Sequence, residues 1–297
     1  MWPVILSLGP VKIYSFGVMM VVAFLAGAFV VWRQGREAHF EEEKLFDVTL
    51  VTVFWGLVGA RLGYILVHWD SFWGGSAPWW ASISIVAYPG LAMAGGLVGG
   101  GLGLWGMSRK LGWNFWDTAD VFARGWLLAW SIGFMGAFLN GSGYGLQTGL
   151  PWGVNFPGVE GVRQPTQIYG LVLGLILFGW SRKWEREYRT YEWYKAGRSE
   201  AWPGFVFLAS LVGIGLVEAG LTWLQPGWWY WQGIPVAGGI WLAVAVVGGV
   251  SLYARAERNL VDDIKFVSAK FRIERRRREP SLRSGGIKRG VDVAYKK

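Results

Sequence analysis

The sequence predicts an all-helical, polytopic integral membrane protein with seven transmembrane helices, the N-terminus outside and the C-terminus in the cytoplasm. Three observations predict this. Seven apolar runs of about 16 to 24 residues sit near the roughly 20 residues that a helix needs to cross a bilayer core. Lys and Arg are confined almost entirely to alternate gaps between those runs. Hydrophobic residues make up 53% of the 297 positions and charged ones only 16%, too few charges to cover a soluble protein of this size.

In chain order the runs are Ile13 to Trp32, Leu45 to His68, Tyr88 to Met107, Gly125 to Gly145, Pro165 to Trp180, Trp202 to Leu224 and Ile234 to Tyr253. The first, third and last contain no charged residue, which sets them apart from the amphipathic helices of a soluble core. After the first run come Arg33, Arg36 and Lys44, and after the third Arg109, Lys110 and Arg124. Arg182, Lys183, Arg186, Arg189, Lys195 and Arg198 follow the fifth, and fourteen more Lys and Arg lie in the tail beyond the seventh. The gaps Trp69 to Ala87 and Gln225 to Gly233 contain neither Lys nor Arg. Positive charge stays on the cytoplasmic side, and this alternation sets the orientation. The outer gaps instead carry Trp69, Trp73, Trp79, Trp80, Trp152, Trp228, Trp229 and Trp231, an aromatic belt for the lipid–water interface.

The third run carries Gly95, Gly96, Gly99, Gly100, Gly101, Gly103 and Gly106, small residues at four-residue spacing that predict close packing on a neighbouring helix. Residues 1–253 therefore read as one seven-helix domain with an outer loop at about 141–164, and 254–297 as a basic, partly disordered cytoplasmic tail. The formal charge of +9 is topological rather than a nucleic-acid footprint, and Arg275 to Arg278 suits attraction to anionic inner-leaflet lipid. No cysteine is present, which excludes disulfides, thiolate metal sites and a cysteine nucleophile. Two histidines, His39 and His68, cannot by themselves hold zinc, so no metal and no cofactor is expected.

Three basic residues escape the topological pattern: Lys12, Arg61 and Arg163. Arg61 lies well inside the second run, where an ionised side chain costs several kcal/mol unless it meets a cavity or a partner. Its expected partners are Glu218 in the sixth run or an anionic lipid phosphate, both of which match guanidinium geometry. Between the fourth and fifth runs, Asn140, Gly141, Tyr144, Arg163, Gln167 and Tyr169 are placed to line a polar pocket.

The strings GARLGYIL (Gly59 to Leu66), GGLVGG (Gly95 to Gly100), GFMGAFLNGSGYG (Gly133 to Gly145), LPW (Leu150 to Trp152) and RQPTQIY (Arg163 to Tyr169) follow one another in an order and spacing that resemble prolipoprotein diacylglyceryl transferases. LGPVKIYSFG (Leu8 to Gly17), Asp120 and Glu218 also fall where that family has similar residues. The resemblance implies transfer of the diacylglyceryl group of phosphatidylglycerol to a cysteine thiol in the signal peptide region of a lipoprotein precursor, at the bacterial plasma (inner) membrane, with release of glycerol phosphate. It implies catalytic roles for Glu218, Asn140 and Tyr64. Substrate-binding roles fall to Arg61, Arg163, Gly141, Gly145, Gln167 and Tyr169. The chain departs from the family pattern at Ala94, where a histidine is usual, at Phe134 (arginine), Ala137 (asparagine), Ser142 (glutamate), Phe16 (tyrosine), Gln164 (histidine), Gly170 (glutamate) and Ile214 (arginine). The alternative expectation is a relative that binds anionic lipid or lipoprotein precursors without transfer. A transporter fits less well, because one intramembrane Arg and one Glu leave little for ion coupling.

Overall fold

A computed structural model describes residues 2–8, 11–73, 78–84, 88, 90–188, 202–227, 230–231 and 234–255. The tail, with its expected disorder, and part of the predicted aromatic belt lie outside these. Residues Met1–Leu252 form one compact unit and Tyr253–Lys297 a second, of which only 253–255 are described.

The chain opens with a hairpin, β1 (Val4–Leu8) against β2 (Val11–Tyr14). It continues into α1 (Ser15–Glu37), α2 (Glu42–Val67), a short α3 (Trp69–Trp73) and a 3-10 turn at Trp79–Ser82. Then come α4 (Met93–Leu111), α5 (Phe115–Asn140), β3 (Val154–Asn155), β4 (Val162–Arg163) and α6 (Thr166–Tyr188). The described chain ends with α7 (Phe205–Leu224), a second small hairpin of β5 (Tyr230–Trp231) and β6 (Ile234–Pro235), and α8 (Val236–Arg255). The protein is mostly helical, and α1, α2, α5, α7 and α8 are long and apolar enough to cross a membrane. In α4 seven of 19 residues are glycine, which adds no apolar surface, and α6 ends in the charged run Arg182 to Arg186. The helices turn residues such as Leu25, Phe29, Leu62, Val98, Leu102, Val246 and Val250 outward, an apolar exterior that suits lipid rather than water.

Two helix pairs carry much of the packing. A Cβ on Gly59 would stand 2.4 Å from the carbonyl oxygen of Gly95, and one on Gly99 would stand 2.2 Å from that of Trp55, so α2 and α4 touch backbone to backbone. Gly27 and Gly125 seat α1 on α5 in the same way, each facing the other's carbonyl oxygen at less than 3.0 Å from where its Cβ would be. Small residues are the means by which membrane helices associate, since lipid is as apolar as a leucine side chain.

Two expectations are corrected here. The fourth helix begins at Phe115, not near Gly125, because Asn114 caps it by accepting from the Trp116 N–H at 2.9 Å. Arg124 therefore lies within α5. It is buried and forms an ion pair with Glu185 of α6. The second correction concerns Arg61 and Glu218, which do not pair; their partners are given below. Asp120, also buried on α5, accepts from the backbone N–H of Gly204 and of Phe207, both at 2.7 Å. A carboxylate supplied by one helix thus caps the N-terminus of α7, where the helix dipole favours negative charge.

Candidate functional site

The segment that joins α5 to α6 is built by glycine geometry. Gly141 ends α5 at φ 76° and Gly143 repeats the left-handed turn at φ 73°, a conformation that side chains disfavour. Gly145 then passes so close to the next helix that a Cβ would stand 2.8 Å from Gln164 Cβ, and its N–H donates to the Gln164 carbonyl at 2.8 Å. The strands β3 and β4 pair beyond it, with Gln147 bridged to Arg163. Leu146 N–H reaches the Leu224 carbonyl at 2.7 Å, which ties the loop to the end of α7.

This assembly brings together seven of the residues singled out by sequence. Gln167, 1% exposed, donates from Nε2 to the Ser142 carbonyl at 2.7 Å, and its Oε1 has no hydrogen-bond partner among the described residues. Asn140 Nδ2 reaches Ser142 Oγ at 3.4 Å, a long contact. Tyr169 accepts at its hydroxyl from Trp152 Nε1 at 2.8 Å. Arg163 donates from Nε to the Glu160 carbonyl at 3.1 Å and stacks its guanidinium over Tyr144 at 5.6 Å. Its two terminal nitrogens have no hydrogen bond among the described residues. Gly141 and Gly145 supply the turns. Thr166 and Gln225, not singled out by sequence, both donate to the Gly143 carbonyl and hold the loop in register. A hydroxyl at a helix start and a glutamine at a helix end are weak sequence signals, because both are common surface residues.

Arg61 and Tyr64 belong to a different structure. The Arg61 guanidinium is buried and, among the described residues, donates to the backbone carbonyls of Ser82 from Nε at 2.9 Å, of Tyr88 and Gly90 from Nη1 at 2.8 and 3.0 Å, and of Ser84 from Nη2 at 3.2 Å. Tyr64 and Phe72 flank it at 5.7 and 5.3 Å, and the Tyr64 ring lies over the bare Cα of Gly90. All three of its nitrogens are thus committed to the segment that leads into α4. Glu218 on α7 accepts from Trp130 Nε1 at 2.9 Å.

Four of the positions where the chain departs from the family pattern also converge. Ile214 is fully buried in the cluster of Leu127, Leu177, Ala219 and Trp241, and Ala94 and Trp130 pack against it. Phe134 meets Trp130 edge to face at 5.1 Å and covers Gly170, where a Cβ would lie 2.5 Å from its ring. The arginine and glutamate expected at these last two positions are replaced together, by a ring and the space it fills.

Fold and site thus define a multi-span helical membrane protein with a polar loop assembly set against the ends of apolar helices. The family model for prolipoprotein diacylglyceryl transferase matches residues 3–254, and the chain belongs to this family. It is similar to phosphatidylglycerol–prolipoprotein diacylglyceryl transferase 2 of Clostridium perfringens, 30% identical over 192 residues that cover 62% of this chain and 73% of that protein. The phosphatidylglycerol–prolipoprotein diacylglyceryl transferase of Desulfotalea psychrophila is 35% identical over 202 residues, covering 63% and 71%. That of Pseudoalteromonas atlantica is 32% identical over 192 residues, covering 61% and 66%.

Proposed function

We propose that this chain transfers the diacylglyceryl group of phosphatidylglycerol to the lipobox cysteine of lipoprotein precursors at the bacterial plasma (inner) membrane. The observation that carries the reading is the family match, which takes in α1 to α7, all but the last residue of α8 and the whole α5–α6 loop. In this reaction a bond forms between the precursor's sulfur and a diacylglyceryl carbon while the carbon–oxygen bond to phosphate breaks. The thiol loses its proton and glycerol phosphate leaves. The nucleophile comes with the substrate, in keeping with a chain that has no cysteine.

Such a step needs positive charge where the phosphate departs, a base for a thiol of unperturbed pKa about 8.5, and apolar room for acyl chains. Arg163 supplies the charge through its uncommitted terminal nitrogens. Gln167, through its buried Oε1, which lacks a partner among the described residues, and Asn140 and Tyr169 orient the glycerol headgroup, while Gly141 and Gly145 let it approach the backbone. Glu218 is the carboxylate available to take the thiol proton. Arg61, with Tyr64, acts by holding the segment before α4 rather than by gripping lipid. A cavity of about 330 Å³ between α1, α2, α4 and α5, walled by Phe24, Val53, Leu97, Leu104 and Trp126, accepts acyl chain.

Purified protein with phosphatidylglycerol and a lipobox peptide is expected to yield diacylated peptide and glycerol phosphate, both detectable by mass spectrometry. Arg163→Ala is expected to lower kcat/KM by about 10- to 100-fold, the equivalent of one charge-assisted hydrogen bond. Binding of lipid and peptide with no product would instead identify a relative that has lost the chemistry.

We propose further that α1, α2 and α4 to α8 all span the bilayer, with the N-terminus outside, the bundle ending at residue 253 and the tail in the cytoplasm. The partition of Lys and Arg supports this. A single cysteine at Gly227 is expected to react with an impermeant reagent from outside the cell, and a tag after Lys297 to be reachable only after permeabilisation. The reverse pattern would invert the topology.

A further inference from the structure

The β1–β2 hairpin has an unusual distribution of side chains for a protein surface. Trp2, Ile5, Leu6, Ile13 and Tyr14 are all exposed, with Trp2 at 79% and Ile5 at 54%. Register separates the hairpin's two faces: Leu6 pairs with Ile13, and the adjacent pair, Ser7 with Lys12, projects to the opposite side. The Leu6–Ile13 face is therefore apolar, and Lys12, the hairpin's charged residue, lies with Ser7 and Tyr14 on the other. The hairpin is fixed to α1, because Pro3 accepts at its carbonyl from both the N–H of Ser15, at 3.0 Å, and its hydroxyl, at 3.3 Å.

Two physical limits locate such an element. A lone two-stranded sheet with exposed apolar residues is marginal in water, since it has no core to bury them in. The hydrocarbon core excludes it as well, because the outer edges of both strands present unpaired N–H and C=O groups that lipid tails cannot satisfy. The headgroup boundary meets both conditions, and Trp and Lys are the residues that settle there. We infer that the hairpin lies on the membrane surface at the end where α1 emerges, with Leu6 and Ile13 in the acyl boundary and Lys12 on a lipid phosphate. This assigns a role to Lys12, one of the three basic residues that topology leaves over, and it makes the hairpin a lipid-binding element separate from the α5–α6 loop.

The absence of cysteine makes the test direct. Ile13→Cys and Ser7→Cys, each in the full chain, are labelled with a polarity-sensitive fluorophore and reconstituted in vesicles of phosphatidylglycerol and phosphatidylethanolamine. For a face buried about 5–10 Å into the boundary, the label at 13 is expected to be quenched about threefold less by aqueous iodide than the label at 7, and more by nitroxide on the acyl chain. Trp2→Cys, outside the paired strands, gives a second reading should a label at 13 unpair them, and is expected to match the protected position. Equal iodide access at 2, 7 and 13 would overturn the inference. So would protection that appears only when a lipobox peptide is added, or disulfide cross-linking of Ile13→Cys between two copies.

Discussion

Arg61→Ala is expected to lower the thermal midpoint of the detergent-solubilised protein by on the order of 10 °C, whether or not phosphatidylglycerol is present. The guanidinium ties together Ser82, Ser84, Tyr88 and Gly90 through their carbonyls, and hydrogen bonds to a charged donor are each worth about 1.5–3 kcal/mol. Their loss is not additive, since the freed carbonyls recover some water at the end of the bundle, so a total of about 3–5 kcal/mol is expected. Arg61→Lys should recover only a small part, because an ammonium is a point donor and cannot span carbonyls served by three separate nitrogens. A lipid-phosphate ligand would behave differently. Its removal would leave the midpoint of lipid-free protein unchanged and abolish the rise on adding phosphatidylglycerol, an outcome that would return Arg61 to the substrate site.

Gly99→Val is expected to prevent the protein from accumulating in folded form, while Gly106→Val, on the same helix, is expected to be tolerated. The added Cβ at 99 meets the Trp55 carbonyl oxygen at 2.2 Å and the Gly59 Cα at 2.9 Å, both backbone atoms that cannot turn aside, whereas at 106 nothing lies within 4 Å. Overpacking a core with side-chain neighbours costs about 1–3 kcal/mol; against backbone the helices themselves must separate, and every contact along the α2–α4 seam is weakened at once. Retained yield on size-exclusion chromatography reads the difference. Normal yield for Gly99→Val would mean that the two helices are not in backbone contact.

The sequence revealed the fold more fully than it revealed the site, and particular residues show why. Apolar length and charge placement act over twenty residues at a time, so the runs that became α1, α2 and α7 could be located to within a few positions. The start of α5 escapes the apolar pattern because a cap at Asn114 extends the helix through polar residues that no apolar run includes. Arg61 was correctly expected to be buried, but its partners are main-chain carbonyls, which every residue possesses and no sequence can distinguish. The loop residues Asn140, Arg163, Gln167 and Tyr169 could be grouped because turns and short spacing hold them together. Glu218 and Trp130, 88 residues apart, carried no such signal. The convergence of Ala94, Phe134, Gly170 and Ile214 on apolar packing likewise emerges only when the helices are assembled.

The two glycine-seated helix pairs also impose a schedule on synthesis. The α2–α4 pair closes between neighbours in the chain, and the carbonyls that Arg61 requires follow it by fewer than thirty residues. The α1–α5 pair cannot close until Gly125 has been made, roughly 100 residues after Gly27, which at about 5–20 residues per second leaves α1 waiting for about 5–20 s. Only a segment content with lipid on all sides can wait that long. The apolar run of α1, without a single charge between Ile13 and Trp32, is such a segment, and the slower step of assembly is entrusted to the helix least harmed by delay.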